Sequence, residues 1–280
     1  MSIIIGIHGL SNKPEAETLE KWWKSALLEG LKRNRRIIDV DFNFESVYWA
    51  KVMYPEGHDK NPEPYPYKDG NSRDEPLKRY EDAWYDEVRA DVLDVGGSVL
   101  DAAKKWFGVT HTADEVLERK LPDLYRYYEE DDIRDKLRSL LRGALDPNLS
   151  NGERIMLISH SMGTIIAYDV LREIGKENPS QRLAHFVTIG SPLGLPHVTH
   201  KAREEWRMLR TPSIVDRWTN FADRRDPVSF DVHLADDYDP NDRGVQVRDD
   251  LVINDYGGIR HKSYGYLRTP ELTDAVALFV

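Results

Sequence analysis

The sequence predicts an α/β protein: one mostly parallel sheet flanked by helices on both faces, in a single domain spanning residues 1–280. Three observations carry this. Short runs such as Ser2–Ile7 and Ile155–Ile158 have the length and apolar bulk of strands buried on both faces. Longer segments of helical period separate them, the pattern that places helices over a parallel sheet. Between Arg154 and Leu171 an apolar run passes into a helical one through a turn of a few residues, with Ser161 at its apex and Gly163 just beyond.

Length and composition bound the rest. At 280 residues with 40% hydrophobic side chains, the chain can bury a sizeable core and is not disordered by composition. A net charge of -10 argues against a nucleic-acid partner and against an electrostatic anchor on anionic membrane. With no cysteine, disulfides, zinc thiolates and cysteine nucleophiles are all excluded. The N-terminus opens on a strand rather than on a basic leader, and no apolar run approaches bilayer length, so a cytoplasmic protein without a transmembrane segment is expected.

After the first strand, Pro14 to Lys32 reads as a helix, with Pro14 in its first turn and Leu19, Trp22, Trp23, Leu27, Leu28 and Leu31 at helical spacing. Trp22 and Trp23 are assigned to core and boundary packing. Ile37 to Trp49 alternates and reads as a strand. From 50 to 136 the texture changes to a loop rich in Pro and Tyr and then to acidic amphipathic segments, an insertion that either closes over a site or only covers sheet. Its last helix, around Leu137 to Leu145, belongs to the core. Further strands are expected at Arg182–Ile189, Ile214–Phe221 and Leu251–Asn254, and a closing helix capped by Thr269 with Pro270 at its first position.

Ser159-His160-Ser161-Met162-Gly163, set between a strand and a helix, resembles the nucleophile elbow of the α/β-hydrolase superfamily, in particular its lipase- and esterase-like members and GPI-inositol-deacylase-like hydrolases. The departure is Ser159 where the common pattern has Gly. The resemblance implies an α/β-hydrolase fold that starts at the family's third strand, with the 50–136 insertion as a helical cap. It implies Ser161 as nucleophile and His8-Gly9-Leu10 as the oxyanion loop, with the amides of Leu10 and Met162 as donors. The acid belongs in the turn after the 214–221 strand, where Asp226-Pro227-Val228 resembles the family's acid turn and Asp223 is the reserve. His261 is the base, followed by a His-x-x-Tyr ending at Tyr264; His233 is the alternative. Gly190-Ser191-Pro192-Leu193 resembles the loop that borders the acyl pocket, so His8, Gly9, His160, Ser191 and Leu193 are expected around the substrate.

Other constellations fall short. His197 and His200 lack the Glu of a zincin and are expected as loop residues at the pocket rim. Asp236–Asp242 fails the calcium-loop pattern, since Asp242 stands where Gly is needed and Arg248 where Glu is. No phosphate loop or dinucleotide fingerprint is present, and neither a cofactor nor a metal is expected. The function expected is hydrolysis of a small-molecule carboxylic ester, with a lipid or acyl ester favoured. An acyltransferase with the same triad, or a lapsed hydrolase scaffold serving as a binding module, are the alternatives. Oligomeric state is not encoded in these patterns.

Overall fold

A computed structural model describes residues 2–60, 75–81, 121–229, 231–256 and 260–280. The larger part of the expected insertion, 61–74 and 82–120, therefore lies outside the described residues. Six strands form one sheet: β1 (Ser2–Ile7), β2 (Asn43–Val47), β3 (Arg154–His160), β4 (His185–Ile189), β5 (Trp218–Ala222) and β6 (Val247–Leu251). Their order is β2-β1-β3-β4-β5-β6 and every pair is parallel. This is the α/β architecture the sequence predicts.

The strand periodicity sorts the core into two layers. Ile5, Ile7, Ile155 and Leu157 point into one apolar cluster, and Ile4, Met156 and Ile158 into the other. The first cluster is covered by α3 (Pro122–Glu129), α4 (Asp131–Ser150), α5 (Met162–Glu177) and α6 (Pro196–Trp206). The second is covered by α1 (Ala16–Arg35), α7 (Ser263–Leu267) and α8 (Pro270–Ala277). A four-residue helix, α2 (Ala50–Met53), follows β2. The helix expected around 137–145 is part of α4, whose Leu137, Leu141 and Leu145 are fully buried.

The winding reverses between β1 and β3: the chain passes outward from β1 to β2, then returns to pair β3 on the other side of β1. Parallel sheets open a crevice at the carboxyl ends of the strands where the order reverses. Ser161 follows β3 and His8 follows β1, so both stand at that crevice.

Several boundaries differ from the sequence reading. Helix α1 begins at Ala16, so Pro14 precedes it. The strand expected from Ile37 starts only at Asn43. Arg36 adopts a left-handed φ of 58°, and the amides of Arg36 and Ile37 bond back to Lys32 and Leu31, which commits both residues to the helix terminus. The last strand is Val247–Leu251 rather than Leu251–Asn254. It is an edge strand that tolerates acidic residues because Asp249 accepts from Asn220 and from the amides of Leu234 and Ala235. His197 and His200 sit on α6, not in a loop; Pro196 starts that helix and His200 lies 3.4 Å from Glu204. Thr269 does cap α8, accepting from Leu272.

Candidate active site

Strand β3 passes into α5 through a single residue, Ser161. Ser161 takes φ 52° and ψ −129°, a left-handed value costly for a non-glycine residue. It is held there from both sides: its amide donates to Ile189 at 3.1 Å, and its carbonyl accepts from the Thr164 amide (2.8 Å) and hydroxyl (2.7 Å). Helix α5 then passes so close to β1 that a Cβ on Gly163 would lie 2.6 Å from the His8 carbonyl oxygen and 2.8 Å from that of Ile7. Both contacts are backbone, so nothing can swing aside. Gly163→Ala is expected to cost about 1–3 kcal/mol, as overpacking of a tight core does, read as a lower urea midpoint. Ser159, the departure at the elbow, is accommodated because its hydroxyl donates to the Val187 carbonyl on β4 at 2.9 Å.

The turn presents the Ser161 hydroxyl 2.8 Å from Nε2 of His261, whose Nδ1 lies 2.8 Å from Oδ2 of Asp226. Asp226 is 1% exposed, and four donors converge on its carboxylate. Val228 N–H meets Oδ1 at 2.9 Å, while His261, the Tyr266 hydroxyl (2.7 Å) and the Ser229 hydroxyl (3.2 Å) meet Oδ2. Tyr266 in turn accepts from the Asp223 amide at 3.1 Å. Asp223, the reserve acid, is turned elsewhere: it accepts from the amides of Arg225 and Asn254, and burial pushes its carboxyl above the ordinary range. His233, the alternative base, is exposed and its amide bonds to Asp231.

The loop that carries His261 is gripped by its main chain. Asn254, fully buried, donates to the carbonyls of Arg260 (3.1 Å) and Lys262 (2.9 Å), and Nε2 of His160 donates to that of His261 (2.8 Å). Three consecutive carbonyls are thus held. The His160 ring also packs against the His261 ring, centroids 4.8 Å apart. Burial, then the nearby His261 and Lys13, keep the His160 pKa well below the ordinary histidine value, so it serves as a neutral donor.

His8 is fixed on both nitrogens. Its Nε2 accepts from the Trp49 amide at 3.1 Å, so Nδ1 carries the hydrogen and donates to the Gly9 carbonyl at 2.8 Å. Trp49 also stacks on the ring and donates its indole N–H to the His8 carbonyl. The Gly9–Leu10 peptide is thereby oriented, and burial holds His8 neutral. Gly9 packs so near that a Cβ there would fall 2.6 Å from Cβ of Ser161. Among the described residues, the amides of Leu10 and Met162 donate to no acceptor.

A cavity of about 330 Å³ opens beside Ser161. Leu10, Pro14, Leu19 and Trp22 form its apolar side; His8, His160 and His261 form part of the rest. Trp22 and Trp23 therefore divide, with Trp23 fully buried against Gly6 and Trp22 reaching the cavity. Ser191 and Leu193 are corrections to the expected pocket wall. Ser191 is buried, bonding to Thr164 and to the Leu193 amide, and Leu193 is packed in the core with its carbonyl accepting from Tyr238. Neither lines this cavity; both side chains are buried elsewhere in the core.

A larger groove, about 1030 Å³, runs along the β6 edge. Its one histidine–hydroxyl contact, His185 with Thr219 at 2.9 Å, is a poor base pair, since burial and the neighbouring Arg217 and Arg154 bring His185 down to about 3. No group of three or more metal-ligating side chains occurs among the described residues, and no helix among them is long and apolar enough to cross a membrane.

Residues missed by sequence reasoning are Tyr266 and Trp49, which reach Asp226 and His8 across the fold, and Ser229 and Asn254, whose partners lie three to eight residues away but follow no spacing motif. Tyr264, taken from the His-x-x-Tyr pattern, lines the cavity, and it is Tyr266 that reaches Asp226.

No family model matches the chain, and no curated protein matches it. Among solved structures it is similar to a protein from Xanthomonas campestris pv. campestris described as a candidate hydrolase of the alpha/beta superfamily. Identity is 11%, the TM-score is 0.32, and the alignment covers 98% of this chain and 99% of that one.

Proposed function

We propose that this chain is a serine hydrolase of the α/β-hydrolase type that cleaves carboxylic esters through an acyl-enzyme. The observation that carries the reading is the unbroken relay from the Ser161 hydroxyl through His261 to Asp226, at 2.8 Å in each step, on a strained turn facing a cavity. Ser161 attacks the ester carbonyl as His261 takes its proton; the tetrahedral oxyanion is met by the amides of Leu10 and Met162. His261 returns the proton to the leaving alcohol, and water repeats the sequence on the acyl-enzyme. Each oxyanion donor contributes about 3 kcal/mol of barrier lowering in enzymes of this kind. Asp226 fixes the His261 tautomer and stabilises the imidazolium.

The apolar side of the cavity supports an acyl or alkyl group as the part of the substrate it holds, rather than a peptide. The convergence of all three residues supports an active site over a lapsed one. Purified protein is expected to turn over p-nitrophenyl esters and to react with a fluorophosphonate probe at Ser161, located by peptide mapping. Labelling that survives in Ser161→Ala refutes the nucleophile. Rates that stay level between acetyl and hexanoyl esters remove the preference for an apolar acyl group.

A further inference from the structure

Between β1 and α1 the chain makes a tight loop, Leu10 to Lys13, and the last residue folds back onto the ones before it. Nζ of Lys13 lies 2.5 Å from the Leu10 carbonyl, 2.9 Å from that of Ser11 and 3.5 Å from that of Asn12. An ammonium has three N–H donors and no acceptor, so it suits a cluster of carbonyls and no other arrangement here.

The loop needs such a hold. Ser11 sits at φ 74°, a left-handed value that a non-glycine residue keeps only when its surroundings enforce it. One restraint comes from α3, where Asp123 accepts from the Ser11 amide at 2.7 Å and is itself held by the Tyr54 hydroxyl. A second is local, the Lys13 amide donating to Oδ1 of Asn12. The Lys13 ammonium is the third, and it grips the carbonyl of Leu10, the residue whose amide is proposed to meet the oxyanion. His8 grips the preceding carbonyl, that of Gly9. The Leu10 residue is thus clamped on both of its peptide planes, by a neutral imidazole on one side and a cation on the other.

We propose that the Lys13 side chain is a positioning residue for the oxyanion loop; this rests on the hydrolase reading above. Its N–H donors close the Leu10–Asn12 turn, and without them the Leu10 carbonyl loses its side-chain partner and the peptide beside the proposed oxyanion donor is free to turn. Burial is the main influence on the Lys13 pKa and brings it down to about 8, against the pull of Asp123 on α3 and Asp59, and with the push of Lys262 from the neighbouring loop. A lysine whose pKa is lowered by folding does not loosen the fold as it loses its proton, and the neutral amine keeps two N–H donors for the two nearest carbonyls, so the hold outlasts the charge.

The test measures kcat and KM for one p-nitrophenyl ester at pH 7 in wild type, Lys13→Met and Lys13→Arg, with circular dichroism on each. Lys13→Met should lose roughly tenfold or more in kcat, a fraction of what deleting an oxyanion donor costs, with KM little changed. Lys13→Arg should recover part of that kcat, because a guanidinium also donates N–H groups to carbonyls. An unchanged kcat in Lys13→Met overturns the proposal, as does a loss confined to KM or a Lys13→Arg no better than Lys13→Met. If Lys13→Met does not fold, Lys13→Ala takes its place and is read in the same way. A wild type with no esterase turnover sinks the hydrolase reading itself, whereas turnover that Lys13→Met leaves unchanged sinks only the role of Lys13.

Discussion

Asp226→Asn is expected to lower kcat/KM by about 10⁴-fold, the scale seen when a triad acid becomes an amide. The hydrogen-bond pattern says why. At Oδ1 the carboxylate accepts from the Val228 amide, and at Oδ2 from His261, Tyr266 and Ser229. An asparagine must keep its oxygen toward Val228, because two N–H groups facing one another in a buried site would leave donors unpaired at a cost of about 1–3 kcal/mol. Its NH₂ then points at His261. Tyr266 and Ser229 can rotate their hydroxyls to accept, but Nδ1 of His261 can do so only by giving up its hydrogen. The ring takes the other tautomer, Nε2 donates to Ser161 instead of receiving from it, and the base is lost. Steady-state hydrolysis of a p-nitrophenyl ester checks this. A loss under tenfold would mean that the relay is not what activates Ser161.

The largest effect on stability is expected at Asp169, on the inner face of α5. This residue is 3% exposed, and its carboxylate accepts from the Tyr127 hydroxyl (2.6 Å), the Trp206 indole N–H (2.7 Å) and Arg138 (2.8 Å). Those partners belong to α3, α6 and α4, so one side chain ties four helices over one layer of the sheet. Arg138 extends the network to Glu173 and Glu205, both at 2.7 Å. Burial pushes the Asp169 carboxyl above its ordinary range, with Arg138 opposing. Asp169→Ala leaves an indole N–H and a phenol without acceptors and a buried guanidinium short of a partner, a change that costs about 3–5 kcal/mol. Urea denaturation checks it; a midpoint within error of wild type would show that Glu173 and Glu205 suffice to hold the guanidinium.

The parts of this molecule legible in the sequence are those encoded by local pattern. Ile155–Ile158 reads as a doubly buried strand because both its faces are covered, and the small residues around Ser161 follow from the closeness of α5 to β1. The order of Ser161, Asp226 and His261 along the chain matches the order of the strands whose ends bring them together. Edge strands are harder, since a strand with one open side can carry Asp249 and Asp250, and an apolar window drifts to the following Val252 and Ile253. Ile37 reads as strand in the sequence because a left-handed residue at Arg36 gives no signal when it is not glycine. Tyr266, Asn254 and Lys13 were invisible for another reason. Tyr266 holds a carboxylate brought near by folding, while Asn254 and Lys13 hold main-chain carbonyls within eight residues of themselves, and no spacing rule encodes such partners.

The grip on the base-bearing loop has an evolutionary corollary. Asn254 and His160 seize oxygen atoms that every amino acid possesses, so this hold does not depend on which side chains flank the imidazole. Substitutions on either side of it could accumulate across divergent descendants without shifting the ring, while the two gripping residues would be the ones that drift cannot touch.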